Sequence, residues 1–414
     1  MCGIYAALSR TDQPPRPTKV LETRLRKRGP DHIGTTTAFA APQHPGEAGL
    51  HLHFVSTVLS LRGSTVTAQP FTAPSTCSSS ADAVLCWNGE AWRINGEPVR
   101  GNDGATIFAA LEAASRSGTP DDVLLVLRSI EGPFAFVYFD SDARLLYFGR
   151  DRLGRRSLLV RYDANDTVML SSTSDDDEAH PWLEVEADGI YVLSFGMFSA
   201  GAGYESCLSR HGWLPCCADE DDDDNDNDSD SDSDNDVVST RKEHHQCWNG
   251  ARSYRSVLGL GMFNMDLSVD GAASPLALGS QSEPVQTLGR LLRDAVASRV
   301  SHVPSRGGDA DETRIAVLFS GGLDCTILAR LASEFLPIDQ GIDLINVAFE
   351  NPRLMSRANE AVSAVDMFEA CPDRITGRAS LKELQTTCPG RAWRFIAVLL
   401  VLTFSTQHLH VELR

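Results

Sequence analysis

From Asp219 to Asp236 the chain uses almost one kind of residue: twelve positions are acidic and the rest are Asn or Ser. Such a run has no apolar side chain to bury and repels itself, so it is expected to be a disordered loop. It divides the chain into two stretches that must each find a core of their own, and 414 residues leave room for two or three domains. It also carries most of the net charge of −19, the remainder being only mildly acidic. Alternating carboxylates suit a calcium loop, but the Gly and the closing Glu that such a loop needs are missing at the required spacing. No stripe of Lys and Arg interleaved with aromatics appears anywhere, which argues against a nucleic-acid partner.

Ten cysteines without regular spacing in a chain of this size do not make a disulfide framework. With no signal peptide at the start, they fit a reducing compartment, and a cytoplasmic location is expected. Cys207, Cys216, Cys217, His244, His245 and Cys247 flank the acidic run, yet none forms a Cys-x-x-Cys pair and no zinc site is expected. The longest apolar run, Phe395 to Phe404, falls short of the roughly 20 residues that cross a bilayer, so no membrane partner is expected either.

Ahead of the acidic run, strand-like stretches outnumber helical ones. Val20–Arg28 and Asp103–Ser115 read as helices; Leu50–Leu61, Ala83–Trp87, Phe134–Phe139, Leu145–Gly149 and Ser157–Ser172 read as strands bounded by turn formers. This balance predicts a layered sheet architecture. Polar clusters interrupt it: Leu61-Arg62-Gly63, Trp87-Asn88-Gly89-Glu90, Asn102-Asp103 and Gly149-Arg150-Asp151. Taken singly, Asn88-Gly89 is a turn, Arg62 a solvated cation and Asp103 the start of a helix. Their order behind Met1-Cys2-Gly3 makes them more. If Met1 is removed, Cys2 carries a thiol and a free α-amine together, a nucleophile with its own base whose reference pKa is about 7.7–8.0.

These residues, with Arg28-Gly29-Pro30-Asp31, Gln69-Pro70, Glu131-Gly132-Pro133-Phe134 and Gly149 to Arg156, resemble the class II (N-terminal nucleophile) glutamine amidotransferases, and most closely the glutaminase domain of asparagine synthetase. The resemblance implies an αββα fold with Cys2 as nucleophile and Asn88 and the Gly89 N–H as oxyanion donors. It assigns Arg62 to the glutamine α-carboxylate, and Asp103, with Glu90 beside it, to the α-ammonium.

Beyond the acidic run, Val285, Leu288, Leu291, Leu292, Ala295, Val296 and Val300 recur at helical spacing and predict an amphipathic helix with one buried face. Ile315 to Phe319 is a continuous apolar run, expected as a strand buried on both faces of a parallel sheet. Ser320-Gly321-Gly322-Leu323-Asp324 follows at once, then a helical stretch from Thr326 to Phe335 and a second apolar strand, Asp343 to Phe349. A Gly-rich turn at the carboxyl end of a parallel strand, running into a helix, suits a phosphate, although the Gly-Lys-Ser/Thr of a Walker loop is absent. The pattern resembles the loop of N-type ATP pyrophosphatases, adenine-nucleotide α-hydrolase-like domains. It implies ATP and Mg²⁺ as cofactors, with Ser320, Gly321, Gly322 and Asp324 at the pyrophosphate and Leu318 and Val347 flanking the adenine. Cys325 stands where that family usually has Ser, and a thiol is a weaker donor.

With Pro372 to Gln385 and its Asp373-Arg374-Ile375-Thr376-Gly377-Arg378 core, the domain order resembles the asparagine synthetase domain-containing protein family, in a C-terminally truncated form. The expected division is a glutaminase domain at 2–195, a linker at 196–283, a partial synthetase domain at 284–394 and a divergent tail at 395–414. The fold class is thus α/β and α+β. The resemblance ends near Trp393, before the second nucleotide loop and the lysines of that family. It implies glutamine, aspartate and ATP as substrates for asparagine synthesis and leaves a homodimer open. A glutaminase acting alone and a non-catalytic scaffold remain as alternatives.

Overall fold

The computed structural model describes residues 2–11, 13–42, 49–61, 65–74, 81–163, 167–177, 179–195, 204–213, 279–301, 303, 313–349, 368–400 and 412–413. The acidic run, and Cys216, Cys217, His244, His245 and Cys247 beside it, lie outside them. So does Arg62. The chain forms two compact units, Met1–Ser268 and Val269–Arg414.

In the first unit the elements run β1 (Gly3–Ser9), α1 (Lys19–Arg28), β2 (His32–Ala40), β3 (Leu50–Val58), β4 (Phe71–Pro74), β5 (Ala81–Gly89), β6 (Arg93–Ile94), β7 (Glu97–Pro98), α2 (Asp103–Ser117), α3 (Pro120–Arg128), β8 (Ile130–Glu131), β9 (Phe134–Asp140), β10 (Leu145–Arg150), β11 (Leu159–Asp163), β12 (Thr167–Ser171), β13 (Leu183–Glu184), β14 (Ile190–Ser194) and β15 (Leu208–His211). Two six-stranded sheets carry the unit, in the orders β13-β11-β12-β1-β3-β2 and β15-β14-β10-β9-β5-β4, and β6, β7 and β8 form a small third sheet. The strand pairs of both large sheets are antiparallel, β1 lying between β3 and β12 with Tyr5 opposite Val55 and Ser171.

Alternation along the strands explains the layers. Ile4, Ala6, Leu8, Leu52 and Phe54 of one sheet meet Val84, Cys86, Val137, Phe139 and Leu146 of the other in a core between them. The opposite face of the first sheet, through Tyr5, Ala7 and Val55, takes Leu21 and Leu25 of α1. The opposite face of the second, through Leu85, Trp87, Phe136 and Tyr138, takes Ile107 and Leu111 of α2 and Val123, Leu124 and Leu127 of α3. The result is an αββα sandwich. Thr18 and Asn102 start α1 and α2 by accepting the N–H of Leu21 and of Ala105 on their side chains, which satisfies donors the helices cannot.

The unit runs past the expected boundary at 195. β15 pairs with β14, Cys207 packs between the two large sheets, and Trp213 is buried against Phe134. Cys207 is thus a core side chain rather than a metal ligand. Several elements have no sequence expectation, among them α3, and β2, whose glycine and three threonines disguise a strand paired along its length with β3.

The second unit contains α4 (Glu283–Val300), β16 (Ile315–Leu318), α5 (Leu323–Phe335), β17 (Ile342–Phe349), α6 (Pro372–Thr387), β18 (Trp393–Leu400) and β19 (Glu412–Leu413), with the sheet in the order β16-β17-β18-β19. β16, β17 and β18 are parallel and β19 is antiparallel. The boundary expected after residue 394 falls inside β18, which pairs with β17 from Trp393 to Leu400. Two burial expectations are corrected. β16 is an edge strand covered on one face: Ile315 is buried while Leu318 is 76% exposed. In α4 only the C-terminal half of the apolar stripe, Leu292, Val296 and Val300, joins the core; Leu288 is 59% exposed, and Val285 and Leu291 are exposed too.

Candidate active site

In the first unit Cys2 lines a cleft together with Leu59, Ser60, Leu61, Gln69, Trp87, Asn88, Gly89, Glu90, Asn102, Asp103 and Arg156. Cys2 immediately precedes β1, whose neighbours on both sides hold it in the middle of a sheet. The thiol lies 3.8 Å from the Leu59 carbonyl oxygen. Burial pushes the thiol up from its ordinary value, the Leu59 contact and Arg28 partly offset this, and Asp103 adds to it.

The Arg28–Asp31 segment explains how the loop after β3 is held beside Cys2. Arg28 Nε donates to the Cys2 carbonyl at 3.2 Å. Asp31 donates its N–H to Val58 and accepts the Ser60 N–H on its carboxylate at 2.7 Å. Gly29 sits against this loop so closely that a Cβ would collide with the backbone of Thr57 and Val58, which is why only glycine fits.

The opposite wall is the carboxyl end of β5. Asn88 is 1% exposed, and its side-chain Nδ2 meets no acceptor among the described residues. A buried amide donor left unpaired costs about 1–3 kcal/mol. Gly89 and Glu90 follow, half-buried, and the Glu90 N–H is held by the Pro133 carbonyl at 2.9 Å. That turn is braced in its own right. Buried Asp151 accepts the N–H of Phe134, Leu153 and Arg155 and the Arg155 side chain, whose Nη2 donates to the Gly132 carbonyl at 2.7 Å. Arg150 holds the Arg156 carbonyl at 2.7 Å and so fixes the residue that supplies a cation to the cleft. Asp103, at the first turn of α2, is buried and accepts the Trp87 indole N–H at 3.0 Å and the Ala91 N–H at 2.9 Å on one oxygen, Oδ2.

Five of the six glutamine-site candidates, Cys2, Asn88, Gly89, Glu90 and Asp103, therefore line one cleft; the sixth, Arg62, lies outside the described residues. Trp87, Gln69 and Arg156 line it as well and have no sequence assignment. The adjacency of Trp87 to Asn88 was the only available signal for it. Gln69, joined to Pro70 by a cis peptide bond, accepts the Trp87 backbone N–H at 3.0 Å.

Among known proteins, residues 96–176 match the family described as a glutamine amidotransferase domain. Asparagine synthetase domain-containing protein 1 of Bos taurus is 28% identical over 96% of this chain and 67% of its own length. The Mus musculus protein of the same name is 27% identical, over 96% and 68%. The chain is thus similar, over nearly its whole length, to the asparagine synthetase domain-containing proteins. The Drosophila melanogaster asparagine synthetase domain-containing protein CG17486 is 26% identical over 99% of this chain and 69% of its own, so the likeness continues past Trp393, where the sequence resemblance was expected to end. Among solved structures, glutamine phosphoribosylpyrophosphate amidotransferase from B. subtilis is 15% identical with a TM-score of 0.36, over 51% of this chain and 49% of that one. A glutamine aminotransferase class-II domain protein from Silicibacter pomeroyi is 13% identical with a TM-score of 0.27, over 51% of this chain and 100% of that one.

In the second unit, Ser320, Gly321 and Gly322 connect β16 to α5, and Asp324 lies in the first turn of α5. Gly321 has φ +85°, and a Cβ there would collide with the backbone of Thr376 and Gly377. Thr376 Oγ1 donates to the Ser320 carbonyl at 2.7 Å and Ser380 Oγ to the Gly321 carbonyl at 2.8 Å. The α5 N-terminus has no side-chain cap, and a Cβ on Gly322 would meet only Ser320 Oγ at 3.6 Å. Among the described residues, a helix N-terminus without a side-chain cap and with space beside Gly322 suits a phosphate. Cys325 Sγ contacts the Gly322 carbonyl at 3.3 Å. Leu318 and Val347 share one face of the sheet, since Leu318 pairs with Ile345. No group of His, Cys, Asp and Glu able to hold a metal occurs among the described residues, and none of the described helices is long and apolar enough to cross a membrane.

Proposed function

We propose that the chain is a glutamine-hydrolysing amidotransferase with Cys2 as nucleophile, supplying ammonia for ATP-dependent amidation of aspartate. The observation that carries this reading is the buried Asn88 Nδ2, which meets no acceptor among the described residues and lies in the same cleft as Cys2. A donor kept desolvated and unsatisfied in the free protein is suited to an oxyanion that exists only during the reaction.

With Met1 removed, the Cys2 thiol attacks the side-chain amide carbon of glutamine and its proton passes to the Cys2 α-amine. The α-amine sits on the same residue as the thiol and can take the proton as the bond to carbon forms. Asn88 Nδ2 and the Gly89 N–H stabilise the tetrahedral oxyanion, a donor of this kind contributing about 2.7–4 kcal/mol. Collapse expels ammonia, which takes the proton from the α-amine, and leaves a γ-glutamyl thioester. Water then attacks the thioester, returning the thiol and releasing glutamate. Asp103 binds the α-ammonium of the substrate and Arg62 its α-carboxylate.

In the second unit the Ser320–Gly322 turn and the α5 N-terminus would hold the phosphates of ATP, and Asp324 would hold its Mg²⁺. Bound ATP supplies the leaving group that activates a carboxylate. The names of the relatives support aspartate as that carboxylate, and the cysteine content supports a reducing compartment such as the cytoplasm. Full-length protein given glutamine, aspartate, ATP and Mg²⁺ should yield glutamate, asparagine and AMP, and Cys2→Ala should abolish glutamate release. Glutamate without asparagine or AMP would sink the synthetase half of the reading; release that survives Cys2→Ala would sink the whole.

A further inference from the structure

Trp87 joins the two ends of the cleft. Its backbone precedes Asn88, and its N–H is held by Gln69 Oε1 at 3.0 Å. Its ring is buried and stacked on Phe134, with centroids 5.2 Å apart and planes 19° from parallel. From there the indole N–H reaches Asp103 Oδ2 at 3.0 Å, where the Ala91 N–H arrives as a second donor at 2.9 Å. No hydrogen bond among the described residues reaches Asp103 Oδ1. A carboxylate at the start of a helix has rotational freedom about its last bond, and two donors converging on one oxygen remove it.

We propose that Trp87 is a positioning residue for glutamine: with the Ala91 N–H it occupies Oδ2 of Asp103 and reserves Oδ1 for the α-ammonium of the substrate. The role rests on the assignment of this cleft to glutamine. It sets substrate specificity, because a carboxylate fixed in this way rewards a ligand carrying a cation at that end and gives nothing to one without it. The same residue orients Asn88 through the backbone, so the distance between the ammonium site and the oxyanion donor is set by one rigid side chain rather than by a loop.

The test is Trp87→Phe in the full chain, which keeps an aromatic ring against Phe134 and removes the donor. Loss of a hydrogen bond to a charged group predicts a rise in KM for glutamine of roughly ten-fold, with kcat within about two-fold. Turnover of the des-amino analogue 4-carbamoylbutanoate, which has no α-ammonium, should be unchanged, so the preference for glutamine over it falls by the same factor. In an Asp103→Ala background the substitution should add nothing. An unchanged KM for glutamine, or an equal loss for glutamine and the analogue, would overturn the role. Should Trp87→Phe fail to fold, 3-benzothienylalanine at position 87 keeps the shape of the indole and removes only its N–H, with the same outcomes. Absence of glutamine turnover by the unaltered protein would overturn the assignment of the cleft and this role with it. Turnover with an unaltered KM in the variant overturns the role of Trp87 alone.

Discussion

The described cysteines of this chain differ in burial, and their reactivity should follow it one residue at a time. Cys325, Cys371 and Cys388 are half-buried, whereas Cys86 is fully enclosed between the sheets and its thiol is pushed up to about 12 by burial, Ser56 offsetting this in part. Among the described cysteines of a chain that retains Met1, iodoacetamide at neutral pH should modify the three half-buried thiols first and Cys2 slowly. Cys86 should react only after unfolding, and mass-spectrometric mapping over time would show the order. Raising the pH should accelerate Cys2; a Cys2 that labels fastest at neutral pH would contradict the raised thiol. Folding favours the protonated form of Cys86, so its contribution to stability is complete below the ordinary thiol value and fades as pH rises toward 12. At this scale the sequence pointed to residues that the fold brings into one cleft. Cys2, Asn88 and Asp103 announce themselves by type and order. Trp87 and Gln69 do not, because their part depends on which atoms three different chain segments bring within 3 Å, and no pattern along one segment encodes that.

Among the elements, α6 is the one whose purpose emerges only from packing. Its Thr376 and Ser380 hold the carbonyls of Ser320 and Gly321, and its Gly377 is set against Asn346 and Phe395. The Thr376-Gly377-Arg378 stretch is thus the buttress of the turn before α5. Gly321→Ala must lose both the positive φ and the close approach, at a cost of at least about 1–3 kcal/mol. Thr376→Ala should cost about 1 kcal/mol and Thr376→Ser much less, since the serine hydroxyl can replace the bond. Urea unfolding of the second unit would rank the three, and a Gly321→Ala protein with an unchanged midpoint would refute the packing. Helix and strand positions were largely legible from periodicity, α1, α2, β3, β9, β10 and β17 among them. Burial was less so. The stripe of α4 and the apolar run of β16 satisfy the pattern of a buried element, yet Leu288 and Leu318 are exposed, because an apolar pattern states what a residue could bury and not whether a neighbour is there. β2 was missed for the opposite reason: its threonines are good strand formers but give no apolar alternation.

For the whole molecule, two units with separate cores predict two unfolding events. The first is closed on both outer sheet faces by helices, while the second leaves Leu318, Leu323 and Phe349 exposed, so its transition should come at the lower temperature. Calorimetry of the full chain should resolve two peaks, with Gly321→Ala moving the lower and Gly29→Ala the upper; a single cooperative peak moved by both would overturn the division. Cys2 lies at the head of β1, a central strand, so the proposed nucleophile is part of the core and not an accessory to it. Anyone preparing this protein inherits a practical rule: an affinity tag fused ahead of Met1 would turn the α-amine into a peptide nitrogen and load the cleft with foreign chain, so the handle belongs at the other end.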